Sequence, residues 1–224
     1  MKQKDMKLNE EKLLILGIGL LIAFILWTVL ILTVDVQPLG QNGTNIGFAT
    51  FNCWFHNLTG VHMSIYTITD WLGLVPICVC MLFGCFGLVQ LIQRKNLFKV
   101  DYDIIVLGIY YVVVIASFLA FEIIPINYRP IQIEGVMEAS YPSSTTLLVL
   151  SVMPTLIFQV KRRVKNDICK KTIAVCTILF STFMVIGRLI AGVHWFTDIV
   201  GGILLSAGLF YIYKAAVLLS KKEK

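Results

Sequence analysis

Charged residues are scarce in this chain. Asp, Glu, Lys and Arg make up only 14% of its 224 residues, whereas 58% of the residues are hydrophobic. A soluble globular domain carries about 25% charged and about 45–50% apolar residues. The shortage of charge therefore excludes an ordinary soluble domain and indicates one polytopic membrane domain over residues 1–224.

Positive charge is missing from alternate segments of the chain. Residues 35–70 contain no Lys or Arg, and the Lys and Arg elsewhere form short clusters between apolar runs. A net charge of +6 would suit a nucleic-acid partner, but this clustering is typical of cytoplasmic membrane loops. Segments carrying 4, 3, 6 and 3 Lys or Arg alternate with segments carrying 0, 1 and 1. The pattern predicts six spans with both termini cytoplasmic and the bilayer, not nucleic acid, as partner.

Cysteine and histidine are also few. Of the six cysteines, only Cys53 falls in a segment predicted to lie on the outer side of the membrane, so no disulfide framework follows. The Cys78-x-Cys80 pair lies within an apolar run and lacks the spacing of a zinc site. The sequence therefore suggests no metal and no cofactor.

Six apolar runs predict an all-α protein, because about 20 apolar residues cross a bilayer as a helix. The first run is too long for a signal peptide and ends without a cleavage site, so we expect a retained span. The segment before the second run has an aromatic patch that suits a short helix in the membrane interface. The predicted spans are residues 13–34, 71–92, 104–121, 144–160, 172–186 and 197–219.

The segment between the last two runs contains His194 and Asp198, spaced i, i+4. On a helix this spacing puts both side chains on one face, where a carboxylate can hold one ring nitrogen and leave the other free to attack. Arg129 and Arg188 are the only arginines outside the basic clusters, and the planar guanidinium suits phosphate. The alternatives are that His194 caps a helix and Asp198 starts it, and that the arginines form simple ion pairs with Glu122, Glu134, Glu138 or Asp198.

A helix start precedes the fourth run. Pro142 with Ser143 and Ser144 is typical of the first turn of a helix, whose free N–H groups and positive dipole end attract phosphate. A plain N-cap is the alternative. The fourth run begins on the same predicted membrane face as Arg188, which favours phosphate binding.

Taken together, these residues resemble the three motifs of the type 2 phosphatidic acid phosphatase (PAP2) superfamily. The family pattern is Lys-x6-Arg-Pro, then Pro-Ser-Gly-His, then Arg-x5-His-x3-Asp. The resemblance covers residues 122–198 by motif, within a core of about residues 66–220, and the six-span layout matches as well. The corresponding stretches here are Glu122-x6-Arg129-Pro130, Pro142-Ser143-Ser144-Thr145 and Arg188-x5-His194-x3-Asp198.

The resemblance implies a role for each position and no metal. His194 would be the nucleophile, Asp198 would orient it, and the phosphate would be held by Arg129, Arg188, Ser143 and Ser144. The chain departs from the family at two charged positions. Glu122 stands in place of a phosphate-binding Lys, and Thr145 in place of the His that protonates the leaving group.

These departures bear on the substrate. A general acid contributes roughly 10²–10⁴-fold to rate, and a lipid alkoxide needs it far more than a phosphate group leaving from a diphosphate. We therefore expect a lipid diphosphate, such as a polyprenyl diphosphate, hydrolysed at the outer face of a bacterial cell membrane. A proton from His56, His62 or Glu122 would remove this preference.

Three other functions stay open. A lipid phosphotransferase would use the same site with an acceptor other than water. A non-catalytic lipid-phosphate binder or scaffold would explain the missing Lys and His, although binding alone does not need a nucleophile. A transporter is disfavoured because the ionisable residues lie at the predicted membrane border rather than at its midplane, and no internal repeat is visible.

Overall fold

A computed structural model describes residues 2–219 of the chain, with side chains from residue 10 onward. Six helical segments are long and apolar enough to cross a membrane, which confirms the prediction of an all-α, six-span protein. The predicted basic tail, residues 221–224, lies outside the described residues. The helices are α1 (Lys2–Thr33), α2 (Ala49–Thr59), α3 (Met63–Leu72), α4 (Leu74–Arg94), α5 (Tyr102–Ile123), α6 (Ser144–Arg163), α7 (Asp167–Ile190) and α8 (Phe196–Leu219).

The second span is longer than predicted. It runs over Met63–Arg94 as α3 and α4, so residues 63–70 are helical rather than part of an outer loop. Hydropathy missed α3 because one side of it carries polar groups that turn inward: Thr69 is buried, and the methyl group of its side chain meets α7 at Gly187. The fifth span likewise begins earlier than predicted, at Asp167.

The helices α6 and α8 form the centre of the bundle. α6 packs against α4, α5, α7 and α8, and α1 packs along α8. Gly17 and Gly208 lie where α1 crosses α8, and a Cβ on Gly17 would come within 3.0 Å of the Gly208 carbonyl. Small residues allow such close crossing in membrane helices. The main buried cluster joins α4–α8 around Leu107, Val149, Val152, Met184 and Tyr213.

Ion pairs tie together the end of the bundle where α6 terminates. Arg163 Nη2 lies 2.8 Å from Asp103 and its Nη1 lies 3.2 Å from Asp101. Arg94 also pairs with Asp101, at 2.8 Å, and so joins the end of α4 to the start of α5. This is the basic end of the molecule, and the predicted site residues lie at the opposite end.

Candidate active site

A five-residue loop between α7 and α8 carries His194. The loop passes close to the end of α2: Gly192 has φ +69°, and a Cβ there would collide with the carbonyl of Gly60. The backbone N–H of His62 donates to Ala191 O at 3.1 Å, and His56 Nε2 lies 3.1 Å from Gly192 O. These contacts hold the loop against α2 and the segment that follows it.

The ring of His194 is buried, with 3% of the residue exposed. Its Nδ1 lies 3.1 Å from the carbonyl oxygen of Ser140, which can only accept a hydrogen bond, so Nδ1 carries the proton. Nε2 then presents a lone pair. No hydrogen-bond partner for Nε2 exists among the residues that the structure describes, so the ring has the tautomer of a nucleophile.

Asp198 lies on the first turn of α8 and accepts the backbone N–H of Trp195 at 2.8 Å. Asp198 therefore caps the helix that it helps to begin, whereas the sequence alternative gave the capping role to His194. Its carboxylate does not bond the histidine directly, because Oδ2 is 3.9 Å from His194 Nδ1. Instead it accepts the hydroxyl of Ser140, and the amide of Asn127 lies 3.4 Å from Oδ1.

A hairpin-like segment before α6 supplies Ser140 and Arg129. Its two sides are joined by Ser140 N–H donating to Asn127 O at 2.9 Å and Arg129 N–H donating to Glu138 O at 3.1 Å. The tip contains Glu134 and Gly135, both with positive φ. Arg129 and Ser140 lie on facing sides of this one hairpin, so its backbone brings both residues to the region of His194.

Both predicted arginines are buried and converge on Tyr66 of α3. The guanidinium carbon of Arg188 lies 4.9 Å from the Tyr66 ring centre, and that of Arg129 lies 6.0 Å from it. Each also has a carboxylate partner: Arg129 Nε is 3.0 Å from Glu138, and Arg188 Nη2 is 3.3 Å from Asp70. Within the described chain, Arg129 Nη1 and Arg188 Nε have no hydrogen-bond partner.

The start of α6 adds further free donors. Ser143 occupies the N-cap position, but its hydroxyl makes no capping bond and, as far as the structure describes the chain, no other hydrogen bond. This disfavours the plain N-cap considered from the sequence. The backbone N–H of Ser143 donates to Asp198 O at 3.1 Å, so the start of α6 is attached to the first turn of α8. Ser144 begins the first turn, whose N–H groups point out of the helix.

The electrostatics of the site favour a neutral histidine. Burial lowers the pKa of His194 well below its ordinary value of 6.5, and the positive charges of Arg129 and Arg188 lower it further. The hydrogen bond to the Ser140 carbonyl acts in the opposite direction but is the weaker influence. A neutral ring surrounded by two guanidiniums is suited to attack an anionic phosphoryl group.

The residues at the two departed motif positions line crevices beside the start of α6. Glu122 is exposed at the end of α5 and lines a crevice with Pro142 and Ser144. Thr145 faces a groove of about 330 Å³ that it shares with Asp70 and with apolar residues of α4–α6. His62 is exposed, and its Nε2 lies 2.9 Å from the Thr59 carbonyl.

Sequence analysis missed four residues of the site: Tyr66, Asp70, Asn127 and Ser140. Two of them lie on α3, which was predicted as loop. Ser140 lies two residues before Pro142 in a segment already singled out, and only its backbone pairing with Asn127 shows its role. No group of three or more His, Cys, Asp or Glu that could hold a metal occurs among the described residues.

Comparison with known proteins agrees with the membrane fold. Residues 117–221 match the PAP2 superfamily. The fold is similar to that of the first transmembrane PAP2 type phosphatidylglycerolphosphate phosphatase from Bacillus subtilis, known from a crystal structure, with a TM-score of 0.62 and 16% sequence identity over 93% of this chain and 97% of that one. No curated protein matches the chain by sequence. The matched residues contain all three motifs and the side chains of the candidate site from Arg129 to Asp198.

Proposed function

We propose that this membrane protein hydrolyses a lipid diphosphate or phosphate through a phosphohistidine formed on His194. One observation carries the proposal: besides His194 Nε2, buried polar atoms of residues predicted to bind phosphate have no hydrogen-bond partner among the residues that the structure describes. They are Arg129 Nη1, Arg188 Nε and Ser143 Oγ. A buried polar group that lacks a partner costs about 1–3 kcal/mol, so a set of them suits a ligand that satisfies them together. A phosphoryl group does so, because its oxygens accept from all three.

The reaction begins with attack of the Nε2 lone pair of His194 on phosphorus. The N–P bond forms as the P–O bond to the leaving group breaks, and the electron pair of that bond goes to the leaving oxygen. The two guanidiniums, Ser143 and the start of α6 hold the phosphoryl oxygens as charge develops. Water then attacks the phosphohistidine, which releases phosphate and restores the neutral ring.

The groove beside Thr145 supports a lipid substrate. Its polar end holds Asp70 and Ser144, and its walls are apolar residues of α4, α5 and α6, including the exposed Leu74 and Ile115. A chain-like apolar group lying there would place its head group at the start of α6. Thr145 offers no proton with a pKa near neutrality, so a leaving group that departs as a stable anion is favoured. This supports a polyprenyl diphosphate over a phosphatidate.

The position of the site supports an outward-facing enzyme. The basic residues Arg94, Arg163 and Lys171, at the end of α4, the end of α6 and the start of α7, lie at the end of the bundle opposite His194. By the positive-inside rule that end faces the cytoplasm. Both termini are then cytoplasmic, and the site lies on the extracytoplasmic face of the membrane. We take this membrane to be a bacterial cell membrane. We assign the catalytic core to about residues 66–220.

The test measures phosphate release by detergent-purified protein from a polyprenyl diphosphate and from phosphatidate. His194→Ala is compared with wild type and with His62→Ala, which removes an exposed histidine bound to a backbone carbonyl. We expect release from the diphosphate, its loss in His194→Ala and its retention in His62→Ala. Acid-labile, base-stable phosphate on wild-type protein after a rapid quench would identify the phosphohistidine.

Three results would change the proposal. Equal rates on both lipids would refute the preference for a diphosphate. Consumption of the lipid with little free phosphate would identify a transferase, while His194→Ala activity equal to wild type would remove the enzyme proposal altogether.

A further inference from the structure

Ser140 occupies the space between the catalytic histidine and its acidic partner. It is 1% exposed, and the hairpin fixes its backbone through the bond from its N–H to Asn127. Its hydroxyl donates to Asp198 Oδ2 and lies 3.2 Å from His194 Nδ1. Its carbonyl oxygen lies 3.1 Å from the same nitrogen. The serine therefore contacts both members of the pair.

Asp198 cannot make that contact itself in this arrangement. The 3.9 Å between its Oδ2 and His194 Nδ1 is too long for a hydrogen bond. Oδ2 is already held by the hydroxyl of Ser140 and by the backbone N–H of Trp195 at 2.8 Å. Turning the carboxylate toward the ring would break the cap of α8.

We infer that Ser140 is the positioning residue through which Asp198 acts on His194, an inference that rests on the proposed function. The Nδ1–H of His194 is shared between the two Ser140 oxygens, the carbonyl at 3.1 Å and the hydroxyl at 3.2 Å. The hydroxyl in turn donates its proton to the Asp198 carboxylate. When phosphorylation puts positive charge on the ring, Nδ1–H becomes a stronger donor and both bonds strengthen. The proton stays on Nδ1, and the negative charge of Asp198 is felt through the polarised hydroxyl.

A merely structural serine would behave differently, and a double-mutant cycle separates the two cases. The variants are Ser140→Ala, Asp198→Asn and their combination, with Ser206→Ala as matched control. Ser206 is a buried serine on α8 whose hydroxyl bonds only its own helix, to Ile203 O at 3.1 Å. Removing a residue that orients a catalytic group typically costs about 10–100-fold in activity.

We expect Ser140→Ala to lower kcat by about 10–100-fold with KM within about twofold, and Ser206→Ala to change neither. The double variant should be no slower than the slower of the two single variants, because both remove one connection. Ser140→Cys keeps nearly the same volume with a weak donor and should show the same loss. It replaces the alanine variant if that protein does not fold.

A second readout does not depend on activity. With ¹⁵N-labelled histidine, the ring signals of His194 can be identified by their absence in His194→Ala. The backbone carbonyl remains in Ser140→Ala, so Nδ1 stays protonated in all variants. Asp198→Asn should shift the Nδ1 signal in the wild-type background and leave it unchanged in the Ser140→Ala background.

Three results would overturn the role of Ser140: less than twofold loss in both serine variants, multiplicative losses in the double variant, or an equal Nδ1 shift in both backgrounds. If no lipid is hydrolysed, the proposed function fails, and the ring signals alone decide whether Asp198 reaches His194 through Ser140.

Discussion

The ion pair between Asp70 and Arg188 competes with substrate for the same guanidinium. Arg188 is almost fully buried, whereas 57% of the Asp70 side chain is exposed. The guanidinium is held only by long contacts: 3.3 Å to Asp70, 3.4 Å to Thr69 and 3.5 Å to the Tyr66 carbonyl. Charge-assisted hydrogen bonds normally measure about 2.7–2.9 Å. The present partners therefore hold Arg188 weakly, and a phosphate can replace Asp70.

The size of this competition follows from the geometry. Two unit charges 3.3 Å apart attract by about 1.3 kcal/mol at the dielectric constant of water. Ion pairs with an exposed partner measure about 0.2–1 kcal/mol, so about 1 kcal/mol is an upper value here. Asp70→Asn should accordingly lower KM for the lipid, and Ki for inorganic phosphate, by up to about fivefold. kcat should change little, because the guanidinium itself remains.

The assay is steady-state phosphate release, with inhibition by inorganic phosphate as the second measurement. Asp167→Asn is the matched control, because Asp167 also pairs with a basic residue, Lys170 at 2.9 Å, but at the opposite end of the bundle. The control should leave both constants unchanged. A higher KM in Asp70→Asn would mean that Asp70 positions Arg188 rather than competes for it, and would refute the reasoning.

Three further changes test other parts of the site. Arg129→Lys keeps the charge but loses the planar guanidinium. We expect kcat/KM for phosphate release to fall about 10–100-fold, the equivalent of one charged hydrogen bond. An unchanged value would exclude phosphate binding by Arg129. Gly192→Ala puts a Cβ at φ +69° against the Gly60 carbonyl and should cost more than about 1 kcal/mol, seen as a Tm lower by a few degrees, while Gly108→Ala has open space and should not lower Tm. On the proposed mechanism the neutral ring of His194 attacks, and the pKa of that ring lies well below 6.5. We therefore expect kcat/KM to stay flat as pH falls from 8 through 6.5 and to decline only at lower pH. An acid limb centred at or above 6.5 would contradict this.

Hydropathy and charge made the spans predictable from sequence, because a bilayer penalises polar residues strongly. The same penalty made Arg129, Arg188 and the His194–Asp198 pair conspicuous. The hydropathy-based prediction failed at α3. There Tyr66, Thr69 and Asp70 contact Arg188 and lower the apparent hydropathy of the helix. An inward polar face and an outer loop look alike in composition, and only packing distinguishes them.

The partners of the catalytic residues were not predictable for a related reason. The i, i+4 spacing suggests direct contact of His194 with Asp198, but the loop leaves the helical path before α8 begins and the pair separates to 3.9 Å. Ser140 fills the gap from a segment more than 50 residues earlier in the chain. Such a contact depends on the backbone pairing of the hairpin, which no local sequence pattern expresses.

The two departures from the family motifs have opposite structural consequences. Glu122, which replaces a lysine of the family motif, is exposed at the end of α5. Arg129 and Arg188 pair with Glu138 and Asp70 instead, so the ion pairs of these two guanidiniums within the described residues do not involve Glu122. Thr145, in contrast, faces the groove in which a lipid would lie. The loss of a proton donor at that position thus bears directly on the leaving group, whereas the loss of the lysine bears on overall charge. On the proposed function, a site with two guanidiniums and a neutral histidine stabilises a transferring phosphoryl group, and we expect it to favour a leaving group that departs as a stable anion.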